Sequence, residues 1–137
     1  MIKNWIQNIS LANVTHGHHF DPGPNAMLIQ IVDPDTEFPT PKHQFRETHQ
    51  FRFLDVEEND EVVNESWRCS PEQAHQLVLL LQHALKNCMN VIVHCHAGIC
   101  RSGAVCEVGI MLGFQDLEVF RIPNTLVKRL MLDALQN

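Results

Sequence analysis

Seven contiguous positions carry the densest chemistry in this chain: Cys95-His-Ala-Gly98-Ile-Cys-Arg101, preceded by His94 and followed by Ser102. A thiol and a guanidinium bracket five residues, and the run Val91-Ile-Val-His94 ahead of them is apolar and rich in β-branched side chains. Such a run reads as a buried strand that delivers Cys95 at its carboxyl end, where ligands of open α/β sheets sit. A tight turn feeding a helix N-terminus aims successive amide N–H groups into one concavity, which suits a phosphate-sized dianion. The same positive potential favours a thiolate, making Cys95 the candidate nucleophile. Arg101 can grip two oxygens with its planar fork, as Lys cannot. Gly98 permits a sharp backbone path and close approach of ligand oxygens. The substrate-binding residues expected on this reading are His96, Ala97, Gly98, Ile99, Cys100 and Arg101.

These residues need a scaffold, and the flanking patterns supply one. Ala26-Met-Leu-Ile-Gln-Ile-Val32 is an apolar run between Pro24 and Asp33-Pro34 and reads as a buried strand. The polar, Pro-rich stretch from Asp33 to Thr48 reads as surface loop, and Gln50-Phe-Arg-Phe-Leu54 as a second strand ending near Asp55. The acidic segment Val56 to Glu65 is expected to be loop. Ser70-Pro71-Glu72-Gln73 combines a serine cap, proline at the first helical position and a glutamine able to close a capping box. That helix should run to about Asn87, burying Ala74, Leu77, Val78, Leu81, Ala84 and Leu85. Asn90–His94 is the third, central strand. A helix follows from Arg101–Ser102 to about Leu112, with Gly113 at its C-cap. Pro123 is expected to open a last helix with Leu126, Val127, Leu130 and Leu135 as its stripe. Met1 to Asn25 reads as an opening strand and a loop. Alternating strands and helices predict a single α/β domain, a mostly parallel central sheet flanked by helices.

His94-Cys95-His96-Ala97-Gly98-Ile99-Cys100-Arg101-Ser102 resembles the His-Cys-x-x-Gly-x-x-Arg-Ser/Thr signature of cysteine-dependent protein tyrosine phosphatases. Its place in the C-terminal half, after two other strands, is similar to the compact dual-specificity-like branch. The chain has no Trp-Pro-Asp triplet and no Tyr with which to build a phosphotyrosine-recognition loop. The resemblance implies that Cys95 attacks phosphorus to give a phosphocysteine and that Arg101 clamps the transition state. It implies that Ser102 assists breakdown of the intermediate, that His94 orients the loop, and that a separate Asp protonates the leaving oxygen. Asp55, at a predicted strand end, is the expected acid. Glu57, Glu58 and Asp60 compete with it, with Asp60 the next choice. Rhodanese-like sulfur transferases and arsenate reductases also use a Cys loop beside a helix, and a phosphate-binding pseudophosphatase is a third reading. Cys100 departs from the commoner pattern of the loop. It suggests a reversible Cys95–Cys100 disulfide protecting the nucleophile, or else a small loop filler. Cys69, Cys88 and Cys106 read as structural.

The remaining features set limits. His16-Gly-His18-His19 is a loop cluster better read as surface histidines than as a metal site, so neither metal nor cofactor is expected. His43 and His49 are expected to rim the pocket or face water, and Arg46 and Arg52 are candidate attractants for an anionic substrate. The loop holds His96 but no Lys, which disfavours highly phosphorylated inositol lipids as substrates. The chain has 137 residues, 45% of them hydrophobic and 19% charged, which fits one globular domain with a real core. A net charge of −6 argues against nucleic acid and membrane surfaces. No run of 18 apolar residues is present, and the first ten residues do not read as a signal peptide. Five cysteines without an export signal favour a reducing compartment, the cytoplasm. A phosphorylated protein or small phosphomonoester is the expected partner, and a monomer is plausible.

Overall fold

The computed structural model describes residues 3–136. Five strands, β1 (Trp5–Ile9), β2 (Ala26–Val32), β3 (Glu47–Arg52), β4 (Asn90–His94) and β5 (Gln115–Asp116), form one sheet in the order β3-β2-β4-β1-β5. Every pairing is parallel, so the carboxyl ends of β1, β2, β3 and β4 gather along one edge. Among the described residues four α-helices flank the sheet, α1 (Leu11–His16), α2 (Pro71–Lys86), α3 (Arg101–Leu112) and α4 (Thr125–Leu135), with a short 3-10 turn at Glu65–Trp67.

β2 and β4 are the apolar spine. Every residue of β2 is buried, and its register pairs Met27 with Val91 and Gln30 with His94. A strand covered on both faces has no polar side to alternate with, which is why both strands read as continuous runs. One core joins Met27, Ile29, Val91 and Val93 to Leu77, Leu81, Val105, Val108 and Met131 of α2, α3 and α4. A smaller cluster of Ile9, Val14, Leu28 and Ile92 lies under α1.

The elements match expectation at α2, whose capping box between Ser70 and Gln73 is fully formed, and at β2, β4 and the Gly113 end of α3. Four expectations need correction. The loop ends before Thr48, because Glu47 and Thr48 already pair with Met27 and Leu28 in β3; that strand then stops at Arg52. Pro123 does not open α4; Asn124 caps it by accepting from the Val127 amide, so Thr125 is its first residue. In the α4 stripe, Leu126 and Val127 are buried and Leu130 and Leu135 pack half-buried against the core, and the stripe also includes the buried Met131. α1 and β5 lie in stretches too short and mixed to announce themselves: α1 depends on a Ser10 cap and on Gly17 at φ 73°, and β5 is two exposed residues.

Candidate active site

β4 carries Cys95 to the edge of the sheet, and the chain then turns through residues 96–100 into α3. Gly98 has φ 77°, and a Cβ there would lie 2.3 Å from the Ile9 carbonyl carbon and 2.4 Å from the Ser10 nitrogen. Only glycine fits this approach to the end of β1. Four of the turn's carbonyls are committed to neighbours. His96 O accepts from Leu11 N (3.0 Å), Gly98 O from Asn8 Nδ2 (2.7 Å), Ile99 O from Ile122 N (3.1 Å), and Cys100 O from Ala104 N and Asn124 N (both 2.9 Å). In a trans peptide the N–H points opposite to the C=O, so anchoring these carbonyls outward turns the amides of residues 97, 99, 100 and 101 inward. Cys100 precedes α3 without placing a side-chain bond on its first turn, so those helical amides stay open to a ligand.

The candidate nucleophile sits at the floor. Cys95 is buried, its Sγ accepts from Gly98 N–H (3.3 Å), and it lies 3.2 Å from Ser102 Oγ. Arg101 is buried as well; its Nη1 donates to Asp33 Oδ1 (2.7 Å) and to Phe53 O (2.8 Å), while Nε has no partner. A guanidinium fixed at one terminal nitrogen and open at Nε is poised to bind an oxyanion sideways-on. His94 is fully buried, and that burial holds its imidazole below the ordinary histidine range. Its Nδ1 lies 3.2 Å from Cys95 O, which can only accept, so the neutral ring carries its proton on Nδ1.

Cys95, His96, Ala97, Cys100 and Arg101 share a cleft of about 310 Å³ with Asp33, Leu54, Asp55 and Val56. Asp55 therefore faces the thiol region, as expected from its place beyond β3. Its Oδ1 accepts from Asn124 Nδ2 (2.8 Å), and the same nitrogen donates to Val56 O (3.0 Å). The competing carboxylates are engaged elsewhere. Glu57 binds the Thr125 amide and hydroxyl, Glu58 pairs with Arg129 (2.6 Å), and Asp60 accepts from the Glu57 amide (2.8 Å). Cys100 is half-buried beside Asp55; desolvation and then that negative neighbour push its thiol upward, keeping it protonated.

A family model for protein-tyrosine phosphatases matches residues 41–131, about two-thirds of the chain. The chain belongs to the protein-tyrosine phosphatase family. The matched segment runs from the Pro-rich loop through β3, α2 and β4 into α4, and so contains the whole turn after Cys95. No curated protein sequence matches the chain. No helix among the described residues is long and apolar enough to cross a membrane.

Within this phosphatase domain, three neighbours of the site escaped the sequence reading. Asp33 could have been found as the first residue beyond the carboxyl end of a buried strand. Asn124 could have been found as the N-cap residue directly after a proline. Asn8 left no signal, since its role depends on two carbonyls far along the chain, Gly98 O and Phe120 O (2.7 and 3.1 Å). Other candidates fall away from the cleft. His49 sits in β3 against Glu47, His43 packs on His19 at 5.3 Å between ring centroids, and Arg46 holds Asn25. Arg52 lies over Phe38 and donates to Thr36 O. His16 ends α1 and lies 5.9 Å from the His18 ring. Cys69 and Cys106 are buried, but Cys88 is exposed at φ 56° between α2 and β4, so it is not a core residue.

Proposed function

We propose that this chain is a phosphomonoester hydrolase of the protein-tyrosine or dual-specificity type, acting through a phosphocysteine intermediate without metal. The observation that carries the reading is the convergence, in one cleft, of a buried thiol, an inward-facing amide cradle, a buried guanidinium open at Nε, and a carboxylate. The phosphate dianion occupies the cradle, with Arg101 and the loop amides of residues 97 and 99–101 holding its non-bridging oxygens. Cys95 Sγ attacks phosphorus while the P–O ester bond breaks, and Asp55 gives its proton to the leaving oxygen. With Oδ1 held by Asn124, the transferable proton sits on Oδ2. Water, deprotonated by Asp55, then displaces sulfur and releases inorganic phosphate. Ser102 supports this second step by donating to the departing thiolate from 3.2 Å. His94 positions the loop through the Cys95 carbonyl.

Phosphotyrosine is the favoured substrate, with phosphoserine and phosphothreonine admitted, since the sequence has no Tyr with which to build a phosphotyrosine-recognition loop. A sulfur transferase has no use for an acid facing the thiol, and a pseudophosphatase none for the Ser102 contact. The cysteine usage supports a cytoplasmic setting. The deciding test is turnover of p-nitrophenyl phosphate in EDTA. The parent should act and be blocked by vanadate, Cys95→Ser should be inactive, and Asp55→Asn should lose the alkaline limb of the pH–rate profile. A parent with no turnover sinks the assignment, and an unchanged bell in Asp55→Asn removes Asp55 from the acid role.

A further inference from the structure

Beside the catalytic cleft lies a second cavity of about 280 Å³, lined by Asp33, Pro34, Asp35, Leu54 and Trp67. The two share a wall, because Asp33 and Leu54 line both. The groove is held open by backbone: Leu54 N–H donates to Trp67 O (2.7 Å), which fixes the 3-10 turn at residues 65–67 against the end of β3. Trp67 is a large aromatic left 36% exposed, although Leu54, whose amide bonds its carbonyl, is largely covered.

We propose that this groove receives the side chain of a Lys or Arg flanking the phosphorylated residue of a protein substrate. The proposal rests on the phosphatase reading and adds to it a preference for basic sequence context. The groove is smaller than a site for a drug-sized ligand and suits one long side chain. Its apolar wall, Pro34, Leu54 and the indole, matches the methylene stem of a basic residue, and an exposed indole face attracts a cation. Its polar wall is acidic. Asp33 is taken up by Arg101 yet keeps a side chain 45% exposed, and Asp35 is exposed with no ion pair among the described residues. No Lys or Arg lines the groove among the described residues. Arg52, at the end of β3, is turned onto the Phe38 ring at 4.3 Å and the Thr36 carbonyl. An acidic or phosphorylated neighbour would meet two carboxylates there, whereas a basic one meets charge and surface that both suit it. Because the cavities adjoin, the occupant of the groove must be covalently close to the phosphate in the cleft.

The test is a series of phosphotyrosine peptides in which a single Arg, Ala or Glu is walked through the flanking positions. Turnover of p-nitrophenyl phosphate by the parent is measured first. Affinities are then compared on Cys95→Ser by calorimetry, and kcat/KM on the parent. At one flanking position Arg should exceed Glu by about tenfold. Asp35→Lys should invert that ratio, an outcome that loss of folding cannot mimic, and Trp67→Ala should shrink it. If the parent hydrolyses p-nitrophenyl phosphate but treats the peptides alike, or if Asp35→Lys leaves the ratio unchanged, the groove assignment is overturned and the phosphatase reading stands. If the parent does not turn over p-nitrophenyl phosphate, the phosphatase reading fails and this proposal fails with it.

Discussion

The turn at residues 95–101 and the segment at residues 53–68 face each other across one cleft but are held in different ways. The turn is fixed through backbone: four of its carbonyls are spoken for, and its glycine touches the main chain of β1. The facing segment is fixed mostly through side chains that reach to α4, from Asn124 to Asp55 and Val56, Thr125 to Glu57, and Arg129 to Glu58. Arg68 reinforces it by donating to the carbonyls of Glu57 and Asp60. Backbone anchoring resists displacement, whereas exposed side-chain links are individually weak and exchange readily with water. On the proposed mechanism, a preformed anion site would stand opposite a carboxylate that approaches and leaves.

If that contrast is right, substitutions on the two sides should fail differently. The largest effect is expected from Gly98→Ala, which forces a Cβ into the Ile9 and Ser10 backbone at a positive φ. It should lose about 3 kcal/mol of stability by denaturant unfolding, and kcat/KM should fall at least roughly tenfold. A folded, fully active Gly98→Ala would break the comparison outright. On the other side, Asn124→Asp keeps an acceptor for the Val127 amide but loses the donor to Asp55 and sets a like charge beside it. Its kcat should drop about tenfold with little change in Tm, while Asn124→Ala should also lose about 1 kcal/mol of helix cap.

Cys100 lies where the two regions meet, lining the cleft with Cys95 and abutting Asp55. On the proposed reading, brief peroxide treatment should convert Cys95 to a sulfenic acid whose oxygen the Cys100 thiol displaces as water, forming a disulfide. The parent should then recover several-fold more activity with dithiothreitol than Cys100→Ser; equal recovery removes Cys100 from that role.

The smallest effect concerns the support beneath the turn. Burial pushes the Cys106 thiol of α3 up to about 12, against about 9 in an unfolded chain. Above pH 9 the unfolded state therefore loses a proton that the folded state keeps, and stability declines as pH rises toward 12. At pH 10 this amounts to about 1 kcal/mol, and Cys106→Ala should flatten that part of the stability curve. Cys69, also raised to about 12, supplies a similar loss and remains in that variant.

Legibility followed the same divide. The strand, turn and helix that make the anion cradle are contiguous, so composition and spacing over about a dozen residues revealed them. Asp55 was legible as a residue at a strand end, but its support was not, because Asn124 lies 69 positions away. The Arg101–Asp33 pair joins positions 68 apart, and neither residue type announces the other. β3 read short because its first half alternates between half-buried and exposed residues at the sheet edge, with Phe51 its one buried member.

The placement of β1 and β2 on either side of β4 has a consequence for how this molecule comes into being. The family match begins at residue 41, beyond both strands, yet residues 8, 9 and 11 and residues 122 and 124 together hold the turn around Cys95. A fragment trimmed to the matched segment would leave β4 as a bare edge on both flanks, prone to pairing with other chains. A chain still short of residue 122 lacks the two amides, Ile122 N–H and Asn124 N–H, that hold the Ile99 and Cys100 carbonyls, so the turn around Cys95 is fully held only once that segment is in place.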